Sequence, residues 1–240
     1  MCRMGIFFSD AESGRKMLAS ELLDQEDGAG LYSVTKRILI KHQELYASSF
    51  APLMSEEILP VMVHARSRTT GPLTSENCQP FKVGSRVLAH NGTISKESFP
   101  QVKVTLDDPQ VVEKLVQFEQ SSDSRLLAEL LADKTIEQAD RILEAISRYN
   151  NFFFYSEEEE KFLVKGIFQI LYAKPVTAKI VAVTRERIPN AFAFRGTVHI
   201  AKDGTVVHRR IQPYKEDVTS WHYPHNKTQS QESHQPSLFG

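Results

Sequence analysis

The chain has 240 residues, 41% of them apolar, enough to bury a substantial core in one large domain or two small ones. Its 29 basic side chains offset 30 acidic ones, so the net charge of -1 gives no general electrostatic basis for binding nucleic acid or an anionic membrane. Two cysteines, Cys2 and Cys78, make no disulfide framework, and neither an apolar signal segment nor a run of the ~18–20 apolar residues that cross a bilayer is present, which predicts a soluble cytoplasmic protein without membrane association.

In chain order, the apolar run at 4–8 predicts a strand that fastens the N-terminus inside a sheet. Asp27-Gly28-Ala29-Gly30 marks a turn before 31–40, where alternation is partial, and 58–64 and 86–90 read as buried strands. Helical spacing covers 109–118, 124–131 behind a Ser/Asp capping cluster, and 136–149, where Ile136, Ala139, Ile142, Leu143 and Ile146 share one face. Strand-like runs follow at 152–155, 162–172, 179–184, 191–195 and 197–201, and Asp203-Gly204 predicts a hairpin into 205–208. Strands, then helices, then strands again predict an α+β fold of two antiparallel sheets with helices packed on them. One domain is expected over 2–217, followed by a polar, disordered tail over 218–240.

Cys2 stands directly after the initiator methionine, where a small side chain permits removal of Met1 and leaves a thiol and an α-amine on one residue. With the amine titrating near about 7.7–8.0 and a free thiol near about 8.5, the amine can take the thiol proton at neutral pH without a histidine. His64-Ala65-Arg66-Ser67-Arg68-Thr69-Thr70-Gly71 leaves a predicted strand with polar and fork-bearing groups, and Glu76-Asn77-Cys78-Gln79-Pro80-Phe81 follows; such a cluster suits a small polar ligand. In His90-Asn91-Gly92 a side-chain amide adjoins a glycine whose N–H can approach a ligand closely, a pair suited to an oxyanion hole in which each donor supplies roughly 2.7–4 kcal/mol. No Cys/His spacing resembles a zinc site, and His64 and His90 read as structural, so no metal is expected.

Together these motifs resemble the glutaminase domain of class II amidotransferases, the family of glutamine phosphoribosylpyrophosphate amidotransferase. Met1-Cys2 resembles that family's processed N-terminus, and Glu26-Asp27-Gly28-Ala29-Gly30-Leu31 is similar to its Q-D-A-A-G-I turn. His64–Gly71 is similar to H-x-R-x-x-T-x-G, Asn77–Phe81 to N-A-Q-P-F, His90-Asn91-Gly92 to H-N-G, and Ser122-Asp123-Ser124 to the S-D-[ST] before a helix. Asp24-Gln25, Ser67 and Arg3 depart from the family pattern.

The resemblance implies a four-layer αββα sandwich of the N-terminal-nucleophile type and hydrolysis of L-glutamine to glutamate and ammonia. It implies Cys2 as nucleophile, Asn91 and Gly92 as oxyanion hole, Arg66 on the α-carboxylate and Asp123 on the α-ammonium, with Thr69 and Gln79 shaping the pocket. Outside such a constellation Arg66 reads as an ion pair and Asp123 as a helix N-cap. No cofactor is implied. Ammonia is expected to pass to a synthase on another chain; the alternatives are an amidase acting on a γ-glutamyl or other amide, and a binding module without activity. Gln235, Ser237, Leu238 and Phe239 at the C-terminus resemble the short peptide that docks on a DNA-polymerase sliding clamp.

Overall fold

Residues 151–156, Asn-Phe-Phe-Phe-Tyr-Ser, are all buried. A strand alternates its side chains between two faces, so a layer must cover each side of this one. The computed structural model, which describes residues 2–68, 71–94, 122–146, 150–172, 180–183 and 192–213, supplies both.

Eleven strands are present among the described residues. They are β1 (Arg3–Phe7), β2 (Ala29–Ser33), β3 (Ile38–His42), β4 (Val61–Ala65), β5 (Phe81–Val83) and β6 (Arg86–Asn91), then β7 (Asn151–Ser156), β8 (Lys161–Tyr172), β9 (Ile180–Val183), β10 (Phe192–Ala201) and β11 (Val206–Pro213). All their pairings are antiparallel. One layer runs β3-β2-β4-β1-β9 and the other holds β5, β6, β7, β8, β10 and β11. The long β8 joins them: it pairs with β7 over its first half, and its last residues, Leu171 and Tyr172, pair with Ala182 and Val181 of β9.

Three apolar seams hold the stack. Met4, Ile6, Tyr32, Met62, Val87, Ala89, Phe153 and Tyr155 meet between the sheets. On the outer face of the first sheet, Phe7, Leu31, Val61 and Val63 pack on α1 (Ala11–Ala19) and on the 3-10 segment Ala47–Leu53. On the outer face of the second, Leu88, Phe152, Phe154 and Leu163 pack on α2 (Asp123–Leu130) and α3 (Ile136–Ala145). The order helix, sheet, sheet, helix is the four-layer α+β sandwich. Each buried aromatic ring contributes roughly 1.5–3 kcal/mol by leaving water, and β7 sends Phe153 and Tyr155 one way and Phe152 and Phe154 the other.

The residue runs 31–40 and 136–149 resolve differently from their sequence patterns. The first is a hairpin, Leu31 pairing with Ile40 and Ser33 with Ile38, with Arg37 at φ 55 in its turn, so the partial alternation came from two strands. The second stops at Ala145 as a helix; its start is set by a capping box in which Thr135 accepts from the Gln138 N–H and Gln138 accepts from the Thr135 N–H. Runs 191–195 and 197–201 are one strand, β10, with a register shift between Phe194 and Gly196. The predicted helix at 109–118, Thr69, Met1, and the tail at 218–240 with Gln235, Ser237, Leu238 and Phe239 lie outside the described residues. Among the described residues no helix is long and apolar enough to cross a membrane.

Candidate functional site

The inter-sheet seam has a polar end. On β1 the inward series Met4 and Ile6 extends back to Cys2. On β4 the inward Met62 is followed at the same parity by His64 and Arg66, and on β6 Val87 and Ala89 are followed by Asn91. Cys2, Arg66 and Asn91 therefore leave their strands on the faces that look at each other. β1 lies between β4 and β9, paired on both edges, so the residue ahead of it is held by two neighbours.

A pocket of about 300 Å³, mouth included, opens there. It is lined by Cys2, Arg66, Ser67, Gln79, Gly92 and Asp123, among others. Of the residues expected in the site, Cys2, Arg66, Gln79, Gly92 and Asp123 come together in this wall, while Asn91 does not line it. The Asn91 side chain is buried, and among the described residues neither its Nδ2 nor its Oδ1 has a hydrogen-bond partner. An unpartnered buried amide costs about 1–3 kcal/mol.

The Cys2 thiol is partly buried and faces the Ser67 peptide: it accepts from the Ser67 N–H at 3.3 Å and lies 3.4 Å from the Ser67 carbonyl oxygen. Burial pushes this thiol up, against the pull of the Ser67 N–H and the Arg66 charge. Ser67 was legible only as a departure from a motif; its contribution is backbone, which no side-chain pattern reveals. Arg66 is buried, donates from Nη1 to the Pro72 carbonyl at 3.0 Å, and is fixed at its peptide by the Gly28 carbonyl at 2.8 Å. The turn signal at 27–30 thus serves the site directly. A Cβ on Gly30 would lie 2.3 Å from the Gln79 carbonyl oxygen, so glycine there lets the segment carrying Asn77 and Gln79 close over β2.

Gln79 shapes the pocket through His90. Its Oε1 accepts from the His90 N–H at 2.7 Å and its Nε2 donates to the His90 carbonyl at 3.3 Å. The same carbonyl accepts from His64 Nε2 at 3.1 Å, so His64 carries its proton on Nε2 and its buried Nδ1 is left unpartnered. Burial drives the His64 pKa down to about 3, and His90, fully enclosed as well, is also pushed down. Both imidazoles are neutral at pH 7 and fill structural positions. Among the described residues no group of three His, Cys, Asp or Glu side chains could hold a metal ion.

Asp123 is not the N-cap of its helix. Ser122 is: its side chain accepts from the Arg125 N–H, and Asp123 is the first helical residue. Serine caps as well as aspartate does. The Asp123 carboxylate, 3% exposed, instead accepts from the Ile94 N–H at 2.8 Å and the Ser124 N–H at 2.9 Å.

No family model matches the sequence, and no curated protein matches it. Solved structures do resemble it, two of them as follows. Glutamine phosphoribosylpyrophosphate amidotransferase from B. subtilis, complexed with ADP and GMP, superposes with a TM-score of 0.55 at 18% identity, over 90% of this chain and 50% of that one. A structure described as the allosteric regulatory enzyme of purine biosynthesis gives 0.54 at 20% identity, over 90% of this chain and 50% of that one. The chain spans half the length of each, and what it shares with both is the α+β fold of two packed antiparallel sheets with helices on their outer faces.

Proposed function

We propose that this chain is a class II glutamine amidotransferase domain that hydrolyses L-glutamine to glutamate and ammonia with Cys2 as nucleophile. The observation that carries the reading is the buried, unpartnered amide of Asn91, on the inward face of β6 beside Gly92, at the end of the seam where Cys2 leaves β1. A free amide donor next to a glycine N–H near a thiol is the arrangement that an acyl-transfer oxyanion needs. The fold shared with a glutamine-using amidotransferase supports the same reading.

In the proposed reaction, removal of Met1 frees the Cys2 α-amine, which takes the thiol proton as sulfur attacks the side-chain amide carbon. The C–N bond breaks as the amine passes its proton to the departing ammonia, leaving a γ-glutamyl thioester that water cleaves to glutamate. Asn91 and Gly92 hold the oxyanion in both steps. Arg66 binds the α-carboxylate and Asp123 the α-ammonium, selecting the free amino acid, with Gln79 and Thr69 shaping the pocket. Ammonia then passes to a synthase on another chain. A sliding clamp is the proposed dock for Gln235, Ser237, Leu238 and Phe239. The amidase alternative keeps the nucleophile and changes the amide.

The test is glutamate release from glutamine, measured against γ-glutamyl and simple amides; turnover of another amide with glutamine inert would replace this reading by the alternative. The division of roles has its own signature. Asn91→Ala is expected to lower kcat on the order of 10²–10³-fold with KM nearly constant, because the donor acts in the transition state. Arg66→Ala and Asp123→Ala are expected chiefly to raise KM. Equal shifts of both parameters in all three variants would remove the assignment.

A further inference from the structure

His90 is bonded at both peptide groups and at both ring nitrogens. Its two peptide groups are occupied by Gln79 and His64. Its ring lies stacked on Phe152, centroids 4.9 Å apart and planes 14° apart. At one ring nitrogen, Nδ1 is 2.8 Å from Ser124 Oγ, and at the other, Nε2 is 3.0 Å from Asn150 Oδ1. An amide oxygen only accepts, so Nε2 carries the ring proton and Nδ1 accepts from the Ser124 hydroxyl. Ser124 adjoins Asp123 and gives its N–H to that carboxylate. The chain of contacts Asp123, Ser124, His90, Asn150 therefore crosses the back of the pocket from α2 to the start of β7.

Its far end touches Gly92. That residue has φ 146, and a Cβ built on it would lie 1.9 Å from Asn150 Oδ1, 2.8 Å from its Cγ and 3.1 Å from its Cα. The Asn150 side chain thus lies flat against the Gly92 Cα and leaves room for nothing but hydrogen there. The mirror-image backbone region at Gly92 is one that a glycine leaves as easily as it enters, so the conformation must be imposed from outside. Asn150 is the contact positioned to impose it.

We propose that Asn150, oriented by His90 and through it by Ser124, is a positioning residue that fixes the Gly92 peptide and so aims its N–H into the pocket. Asn150 touches no reacting atom in this assignment and acts through Gly92. The inference rests on Gly92 being the backbone oxyanion donor. It also makes the aim of that donor depend on the helix that carries Asp123, so that the groups for the two ends of the substrate are set by one hydrogen-bonded chain. Neither Asn150 nor Ser124 stood out as a functional residue in the sequence.

The experiment compares wild type, Asn150→Ala, Ser124→Ala and the double variant by two readouts. The first is kcat and KM for glutamine, with kcat normalised to the Cys2 thiol that alkylates, so that misfolded protein drops out. The second, independent of any substrate, is the Gly92 amide in ¹H–¹⁵N spectra and its rate of hydrogen exchange. Asn150→Ala is expected to lower normalised kcat roughly 10–100-fold with KM changed less than about threefold, as for a misaimed donor. It is also expected to shift the Gly92 resonance and speed its exchange at least about tenfold, as the freed peptide opens more often. Ser124→Ala is expected to do the same more weakly, and in the double variant the losses should not multiply, because both act through one chain. A Gly92 amide unchanged in Asn150→Ala overturns the proposal whatever the substrate proves to be, as does an unchanged normalised kcat. Losses that multiply remove Ser124 from it. Wild-type protein that releases no glutamate, with Gly92 responding as expected, would instead sink the functional reading and leave the positioning role standing.

Discussion

Cys2→Ser and Cys2→Ala are expected to lower glutamate release on the order of 10⁴–10⁶-fold, the scale of losing a nucleophile, whereas Cys78→Ser is expected to keep kcat/KM near wild type. The two thiols differ in place, not only in sequence context. Cys2 lines the pocket and faces the Ser67 peptide. Cys78 is fully buried behind the Gly28 turn, with its sulfur 3.6 Å from the Thr74 carbonyl and 3.9 Å from that of Asp27. Burial raises the pKa of Cys78 as it does that of Cys2, so what separates the two thiols is access to the pocket. A serine there still donates to Thr74 and loses only packing volume, a change of about 1 kcal/mol that lowers Tm by roughly 2–4 °C. A glutamine-like diazoketone should label Cys2 alone, and intact mass of the active protein should lack Met1. Retained Met1 at full activity, or two cysteine variants that behave alike, would unseat Cys2.

Acid should weaken the fold through His64, and His64→Gln should relieve the effect. The folded pKa near 3 lies below the ordinary value of 6.5, so the native state keeps a neutral ring while the unfolded chain takes up a proton below about pH 6.5. The associated stability is present above that pH and is lost as pH falls toward 3, at about 1.4 kcal/mol per pH unit. At pH 4.5 the loss from this one residue amounts to roughly 2.7 kcal/mol, a large share of the ~5–15 kcal/mol that holds a typical domain together. Glutamine keeps an N–H to offer the His90 carbonyl but cannot titrate. Urea unfolding at pH 7 and pH 4.5 should therefore show a smaller drop for His64→Gln than for wild type, by that order of magnitude. Equal drops would mean that the buried ring is not the acid-labile group.

Much of this architecture could be read from the chain because its signals are local. The aromatic run at 152–155, the one-sided face of α3 and the Asp203-Gly204 hairpin each lie within a dozen residues, and all three appear in the fold. What could not be read arises between segments. α1 left no mark: Ala11–Ala19 contains a glycine and several polar residues, and its start depends on Asp10, a left-handed cap whose carboxylate accepts from the Ser13 N–H. The hairpin at 31–40 looked like one strand because each half carries the same β-rich composition. At the site, the residues gathered into the wall were those with distinctive side chains, Cys2, Arg66, Gln79 and Asp123. Ser67 acts through its peptide and Asn150 through contact with a glycine, and neither kind of role has a residue-type signature. Assigning the helix cap to Asp123 failed for a related reason: Ser122 and Asp123 are equally good caps by composition, and only the register of the last extended residue decides between them.

The two-sided pairing of β1 also sets a timetable for synthesis. Phe7 pairs with Val61 on one edge and with Ile180 on the other, so β1 meets its first neighbour long before its second has been made. At a ribosome's ~5–20 residues per second, on the order of six to twenty-four seconds separate β4 from β9. Through that interval a nascent β1 already docked on β4 presents an open, apolar edge, the kind of surface that captures other strands.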